Sequence, residues 1–400
     1  MQASIVTTAP APHRFWLVAA LGAALVALGL GAAHYMEVEG HVVTGMNNHV
    51  VWGLPHVFAI FLIVAASGVL NVASIGSVFG KAVYKARAPL SGLLCLAMLA
   101  GGLMVLMLDL GRPDRMIVAA THYNVTSVFA WNVLLYSGMA AIVAVYLWTL
   151  MERRMNRYSK QAGLAAFVWR LVLTTGTGSI FAFLVARQAY GSALLAPMFI
   201  VMSFAWGLAV FLLAQAAVYA WNGMTVPAHA SRRMTRLLGV FVAATLYLVA
   251  AHHLTNLYFA RQFDFERFVL VEGGLYPLLF WAGYVAVGSV LPLLLIYGGD
   301  AARPRNPVIA SALVVVGAFC ALYVFIIGGQ AFPLELFPGA TTRSTFLDGQ
   351  VAPYAPSLPE LLLGIGGVAA AFLITVIGVH VLDFLPHDAS PESGAADDGG

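Results

Sequence analysis

A chain of 400 residues that is 61% hydrophobic and only 9% charged, with a mean hydropathy of +0.88, lies outside the range of soluble globular proteins. Its 20 basic and 17 acidic residues are too few to cover a soluble surface, and a net charge of +3 spread along the chain does not make a nucleic-acid binder. Its two cysteines, Cys95 and Cys320, cannot supply the four ligands of an iron–sulfur cluster or a structural zinc site, so any cluster belongs to another chain.

Apolar windows of about twenty residues predict ten membrane-spanning helices, near 15–34, 52–79, 88–109, 126–151, 165–188, 194–221, 235–258, 274–297, 306–328 and 358–384. The runs are continuous and do not alternate with period two, which points to an all-α polytopic transmembrane helix bundle and away from a β-barrel. The first window is too long for the apolar region of a signal peptide and is expected to remain as a span. The expected organisation is an N-terminal segment over 1–14, a transmembrane domain over 15–384 and an acidic tail over 385–400, rich in Gly, Ser and Pro and expected to be disordered.

Threading the spans alternately gives a charge asymmetry. Arg112, Arg115, Arg187, Arg261, Arg267 and Arg343 fall on one side, and the remaining fourteen of the 20 basic residues fall on the other. The positive-inside rule then places both termini on the cytoplasmic side of a bacterial cytoplasmic membrane. Arg170 and Arg187 sit at opposite ends of the fifth span, where each can reach its own interface.

An ionisable group at membrane depth is a functional candidate because of its cost. In chain order the first is His56, just inside the second span after Pro55. Asp109 closes the third span in the run Asp109-Leu110-Gly111-Arg112-Pro113. Gly111 and Pro113 suit a helix stop, but a carboxylate at a helix C-terminus faces the negative end of the dipole and needs compensation. Two readings stay open there: a local ion pair of Asp109 with Arg112, or a proton-exchanging carboxylate beside an apolar cavity. The fourth span opens with Trp131, suited to interface anchoring, and Asn132, suited to point inward. The run Thr174-Thr175-Gly176-Thr177-Gly178-Ser179 in the fifth span allows either close helix packing or an unwound segment. His252 and Asn256 share a helix face near the end of the seventh span, followed by Arg261 and Glu272. His56, Asp109, Arg112, Asn132, Arg187, His252 and Glu272 all fall toward the side with few basic residues.

Histidine, carboxylate and arginine near one interface suit a lipid-soluble carrier that exchanges protons with electrons, such as a quinone. The run Asp109 to Pro113 with Arg115, the Ser127 to Asn132 entry and the small-residue-rich second span together resemble the NrfD/PsrC family of polytopic quinone-interacting membrane subunits, in the longer ten-span DsrP and HmcC form. The resemblance implies an eight-helix core of two four-helix bundles from about Val50 to the ninth span, with the first and tenth spans added. It implies a bound quinone, menaquinone or ubiquinone, with no haem or iron–sulfur cluster in this chain. It further implies a four-cluster ferredoxin-like iron–sulfur subunit on the periplasmic face, with further catalytic or cytochrome subunits. Asp109 and His56 are then expected to exchange protons, and Arg112, Asn132, Trp131, His252 and Arg187 to bind the carrier. Two other functions compete: a haem b anchor ligated by His56 with His252 or His253, and a transporter built around the fifth span and Asp109.

Overall fold

The computed structural model describes residues 12–298, 305–334, 337, 340, 342–382 and 384. Within them the chain is all-helical, without strands, and ten helices are long and apolar enough to cross a membrane. These are α1 (His13–Glu39), α2 (Leu54–Ser77), α3 (Ala88–Leu108), α4 (Val128–Met151), α5 (Asn156–Ala182), α6 (Leu195–Trp221), α7 (Ala228–Tyr258), α8 (Leu275–Tyr297), α9 (Asn306–Ala331) and α10 (Leu358–Val381). All ten expected spans are present. The seventh begins earlier than its apolar window because Arg232 and Arg233 ride on a helical extension beyond it. Arg303, most of the 1–14 segment and the 385–400 tail lie outside the described residues.

Helices α2 to α5 close into one four-helix ring and α6 to α9 into a second, while α1 pairs with α10, which packs on α2 and α3. The rings meet along α2, α5 and α6. Helix α2 is accordingly the most enclosed, with 89% of its apolar window buried against 22% for α1. The approach of α2 to α6 depends on glycine. A Cβ on Gly68 would overlap the Ser203 carbonyl, and one on Gly207 would overlap the backbone of Gly68 and Val69.

Helix α5 runs unbroken through its Thr- and Gly-rich stretch. The hydroxyls of Thr174, Thr175 and Thr177 bond back to the carbonyls of Arg170, Leu171 and Leu173, and Gly178 packs against the backbone of Leu195 and Ala196. The stretch therefore serves close packing, not unwinding. Arg170 also departs from expectation. It does not reach an interface but is buried at the seam, 2% exposed, with Nη1 donating to Asn71 Oδ1 at 2.7 Å and its guanidinium stacked between Phe167 and Phe204. The neutral amide, the Ser67 carbonyl and the two ring faces hold it where no carboxylate stands, and its Nε is left without a partner.

At one end of the bundle, the segment joining α1 to α2 and the segment joining α9 to α10 fold over the helices. Glu360, in the first turn of α10, accepts from the backbone N–H of Gly45 and Ser357 and from the Tyr354 hydroxyl, and that hydroxyl in turn accepts from the N–H of Leu54 at 2.6 Å. This chain of bonds fixes where α2 begins. Burial, and then the neighbouring Glu360 carboxylate, push the Tyr354 phenol above its ordinary range, so it remains a donor.

Candidate functional site

Pro55 occupies the first turn of α2, where its missing N–H costs nothing, and places His56 in the same turn. Asp109 is the C-cap residue of α3, and Gly111 takes the left-handed backbone (φ 61°) that stops the helix. The two ends meet. His56 Nδ1 lies 2.7 Å from Asp109 Oδ2, with the Asp109 side chain 1% exposed and that of His56 13%. The compensation that a carboxylate needs at a helix C-terminus thus comes from an imidazole at the N-terminal turn of a neighbouring helix, whose dipole is favourable to an anion. The contact is short but poorly aligned, so that His56 Nδ1 and both Asp109 oxygens lack a completed hydrogen bond. Both groups retain capacity for a further partner.

Trp52 stacks on His56 with ring centroids 5.8 Å apart, and its other side meets Phe129 and Phe181. Its backbone is held from the second bundle. Gln330 Oε1 accepts from the N–H of Val51 and Trp52, and Gln330 Nε2 donates to the Trp52 carbonyl, each at 3.0 Å. His41 bonds the Asp109 carbonyl through Nε2 at 3.2 Å, closing the last turn of α3. The result is a cluster of imidazole, carboxylate and indole, the first two on helix ends and the third in the segment leading into α2.

The other expected site residues scatter. Arg112 does not pair with Asp109; its Nε and Nη2 donate to Asp114 at 3.0 and 2.9 Å on the surface, with the side chain 63% exposed. That bond raises the Arg112 pKa and lowers that of Asp114. Two residues of separation suit a bidentate fork better than any reach back toward the helix end. Trp131 faces outward and donates to the Val125 carbonyl at 2.6 Å, as an interface anchor does. Asn132 turns inward, donating to Val128 O and Gly176 O between α4 and α5, and its buried Oδ1 has no partner. Arg187 ties chain segments together, donating to the carbonyls of Gln330 at 2.6 Å and His49 at 2.8 Å. Burial lowers its pKa. Glu272 pairs with Arg267 on the surface, and Arg261 donates to Val185 O.

His252 belongs to the second bundle. With His253, Asn256 and Glu266 it forms a separate buried polar cluster, in which Glu266 accepts from His253 Nδ1 at 2.6 Å and from Asn256 Nδ2 at 2.7 Å. Glu266 sits on a short helix, Ala260–Arg267, whose polar composition resembles an ordinary surface loop in sequence. Gln330 is equally silent as a sequence feature. Glu360 did leave a signal, since Ser357 and Glu360 form a capping box of recognisable spacing.

Comparison with known proteins finds similarity over nearly the whole chain. An integral membrane subunit of an Hdr-like menaquinol oxidoreductase from Archaeoglobus fulgidus is 28% identical over 92% of this chain and 93% of its own length. A putative membrane subunit of dimethyl sulfoxide reductase from Halobacterium salinarum is 27% identical over 94% and 93%. A selenate reductase subunit from Mesobacillus selenatarsenatis is 22% identical over 86% and 88%. The family model for NrfD, polysulphide reductase, matches residues 42–334, which span the two four-helix rings from the segment before α2 to the end of α9 and leave α1 and α10 outside; the chain belongs to the NrfD family.

Proposed function

We propose that this chain is the quinone-binding membrane subunit of a respiratory oxidoreductase complex, and that the carrier's ring oxygens meet the His56–Asp109 pair. The observation that carries this reading is the 2.7 Å approach of a buried carboxylate to an imidazole, with hydrogen-bonding capacity left on both. A relative named as a menaquinol oxidoreductase subunit supports a quinone, menaquinone or ubiquinone, as the class of carrier. A quinone supplies two-electron chemistry coupled to two protons. This chain's own residues hold the protons: Asp109 accepts one at a carboxylate oxygen, His56 carries another on its ring, and Trp52 fixes the imidazole plane. The fit is physical, since the unfilled acceptors of Asp109 suit a hydroxyl donor.

In the same reading electrons are exchanged between the quinone and a four-cluster iron–sulfur subunit, with sulfur-compound or related anaerobic or lithotrophic metabolism as the setting. The charge asymmetry of the loops supports an orientation with the His56 end toward the periplasmic face of a bacterial cytoplasmic membrane and both termini inside. The three relatives are named as subunits of oxidoreductases, two of them as membrane subunits, which supports further catalytic partners.

The test is Asp109→Asn in the assembled complex. The amide keeps size and hydrogen bonding but cannot take a proton, so quinol-linked turnover is expected to fall about a hundredfold or more. Abundance of the complex should change far less. Near-normal turnover in a fully assembled variant removes Asp109 from the mechanism.

A further inference from the structure

The second bundle has an imidazole–carboxylate pair of its own, with the carboxylate buried and the imidazole 17% exposed, at the same end of the molecule as the first. His253 Nδ1 stands 2.6 Å from Glu266 Oε2, and Glu266 is 0% exposed. The second carboxylate oxygen accepts from Asn256, whose Nδ2 also stands 3.2 Å from His252 Nε2. The arginines of the short helix are engaged elsewhere, Arg261 with Val185 O and Arg267 with Glu272, and Asp264 on that helix adds no positive charge. A carboxylate so enclosed is stable only with a compensating proton on or beside it.

Beside this pair lies a cavity of about 50 Å³, walled by Trp206, His252, His253, Phe280, Tyr284 and Phe325. Two polar atoms of residues that line it can take a further partner: His252 Nδ1, which makes no hydrogen bond, and the Tyr284 hydroxyl, which faces Ser289 without a well-formed bond, on residues 4% and 3% exposed. At about 10–15 Å³ per water, the volume admits roughly three or four. The backbone is unusual in the same place. Three π-helical stretches, Phe268–Glu272, Leu279–Val290 and Tyr323–Gly328, each contribute residues to the wall, among them Val269, Tyr284 and Val324. Such turns are rarer and less favourable than α-helix and concentrate at functional sites. Tyr190 braces the third stretch, donating to the carbonyls of Phe325 and Ile326.

We propose that His253 and Glu266, with water held between His252 and Tyr284, form a second proton-holding site, separate from the His56–Asp109 pair. With one proton shared, imidazolium–carboxylate or imidazole–carboxylic acid, the pair is neutral overall. Releasing that proton to cavity water leaves neutral imidazole and carboxylate with net charge −1, and uptake reverses this without any change in bonding elsewhere. The titratable groups around the pair are His252 on α7, Arg261, Asp264 and Arg267 on the short helix, Tyr276 and Tyr284 on α8, and Tyr323 on α9. From α6 the wall receives only apolar residues and Trp206. The inference stands on this cluster alone and does not require the quinone reading.

The test is pH-difference infrared spectroscopy of the full chain in lipid nanodiscs, in H₂O and D₂O. Wild type should show a carboxyl–carboxylate difference signal that Glu266→Gln removes and Asp109→Asn leaves in place. His253→Gln keeps the carboxylate and should move the midpoint of that signal by at least about one pH unit, tenfold in proton affinity. Ala321→Leu fills the cavity while keeping every titratable group, and should abolish the internal-water O–H signal. A wild-type difference spectrum in Glu266→Gln overturns the proposal. Should that variant fail to assemble, an unmoved midpoint in His253→Gln overturns it equally, and an internal-water signal unchanged by Ala321→Leu overturns the hydrated cavity.

Discussion

Gln330 grips the backbone of Trp52 from both sides, accepting from its N–H through Oε1 and donating to its carbonyl through Nε2, so that the end of α9 in the second bundle fixes the residue stacked on His56 in the first. Gln330 is 2% exposed and its Nε2 also bonds the Ile326 carbonyl, so the amide cannot swing away. The two bundles therefore share one site wall without sharing its titratable groups. Phe181 continues that wall, meeting Trp52 on one side and Phe199 and Phe325 on the other.

Gln330→Leu keeps the volume and removes the clamp, leaving the N–H groups of Val51 and Trp52 and the Trp52 carbonyl without it. These groups are only partly buried, and Val51 is 52% exposed, so water can replace part of the clamp and a loss of about 1–3 kcal/mol in all is expected. Thermal unfolding of the purified chain should show it. Gln330→Glu retains the acceptor that serves two N–H groups but turns an acceptor oxygen toward the Trp52 and Ile326 carbonyls, so it should cost at least as much, while a small cost in both variants would assign the stability to packing.

Gly68→Leu and Gly207→Leu should each prevent the close approach of α2 to α6, because the added side chain meets backbone and not a movable side-chain end. The full-length chain should then be degraded or extracted as an aggregate, measured by size-exclusion profile in mild detergent. Gly31→Leu, whose Cβ meets open space, is the control and should behave as wild type.

Cysteines introduced over 80–87, 152–160 and 222–234 should resist a membrane-impermeant thiol reagent in intact cells, and those over 110–125 should react. The basic excess of the first three loops motivates this orientation. The reverse pattern inverts the molecule in the membrane and moves the His56 end to the cytoplasm.

The ten spans were legible because hydrophobic length is a local property, and Asp109 was legible because a carboxylate at a helix C-terminus contradicts local electrostatics. Its partner was not. Arg112, nearer in sequence, spends its fork on Asp114, while His56 arrives from another helix through the pairing of α2 with α3. Gln330 and Trp52 are separated by most of the chain, and no periodicity signals an amide that clamps a backbone. Glu266 was hidden for a different reason. A short polar helix folds back under α7, and burial of its one enclosed carboxylate depends on that return. The π-helical stretches likewise follow from packing around a cavity and have no sequence pattern of their own.

The Arg112–Asp114 fork gives a pH signature of known sign. The folded pKa of Asp114 is lowered by the Arg112 hydrogen bond, so the contribution is present above the ordinary carboxylate range and disappears as pH falls through the depressed value. Arg112→Gln should return the Asp114 titration, followed by carboxyl chemical shift, to its ordinary range. Both groups are solvent-exposed, so thermal stability at neutral pH should hardly change.

A double-mutant comparison separates the partners of Asp109. If His56 compensates the carboxylate, Asp109→Asn and His56→Gln remove two sides of one interaction, and the second substitution should add little to the turnover lost by the first. The coupling should be large because Asp109 is buried, His56 is largely so, and each single variant leaves the other group without its partner. Arg112→Gln, which touches Asp114 and not Asp109, should combine additively with Asp109→Asn in turnover and leave the assembled fraction unchanged. Abundance must be measured beside turnover in every variant, since loss of assembly would imitate loss of chemistry. Additivity between Asp109→Asn and His56→Gln, with strong coupling between Asp109→Asn and Arg112→Gln, would reverse the assignment and make the arginine the working partner of the carboxylate.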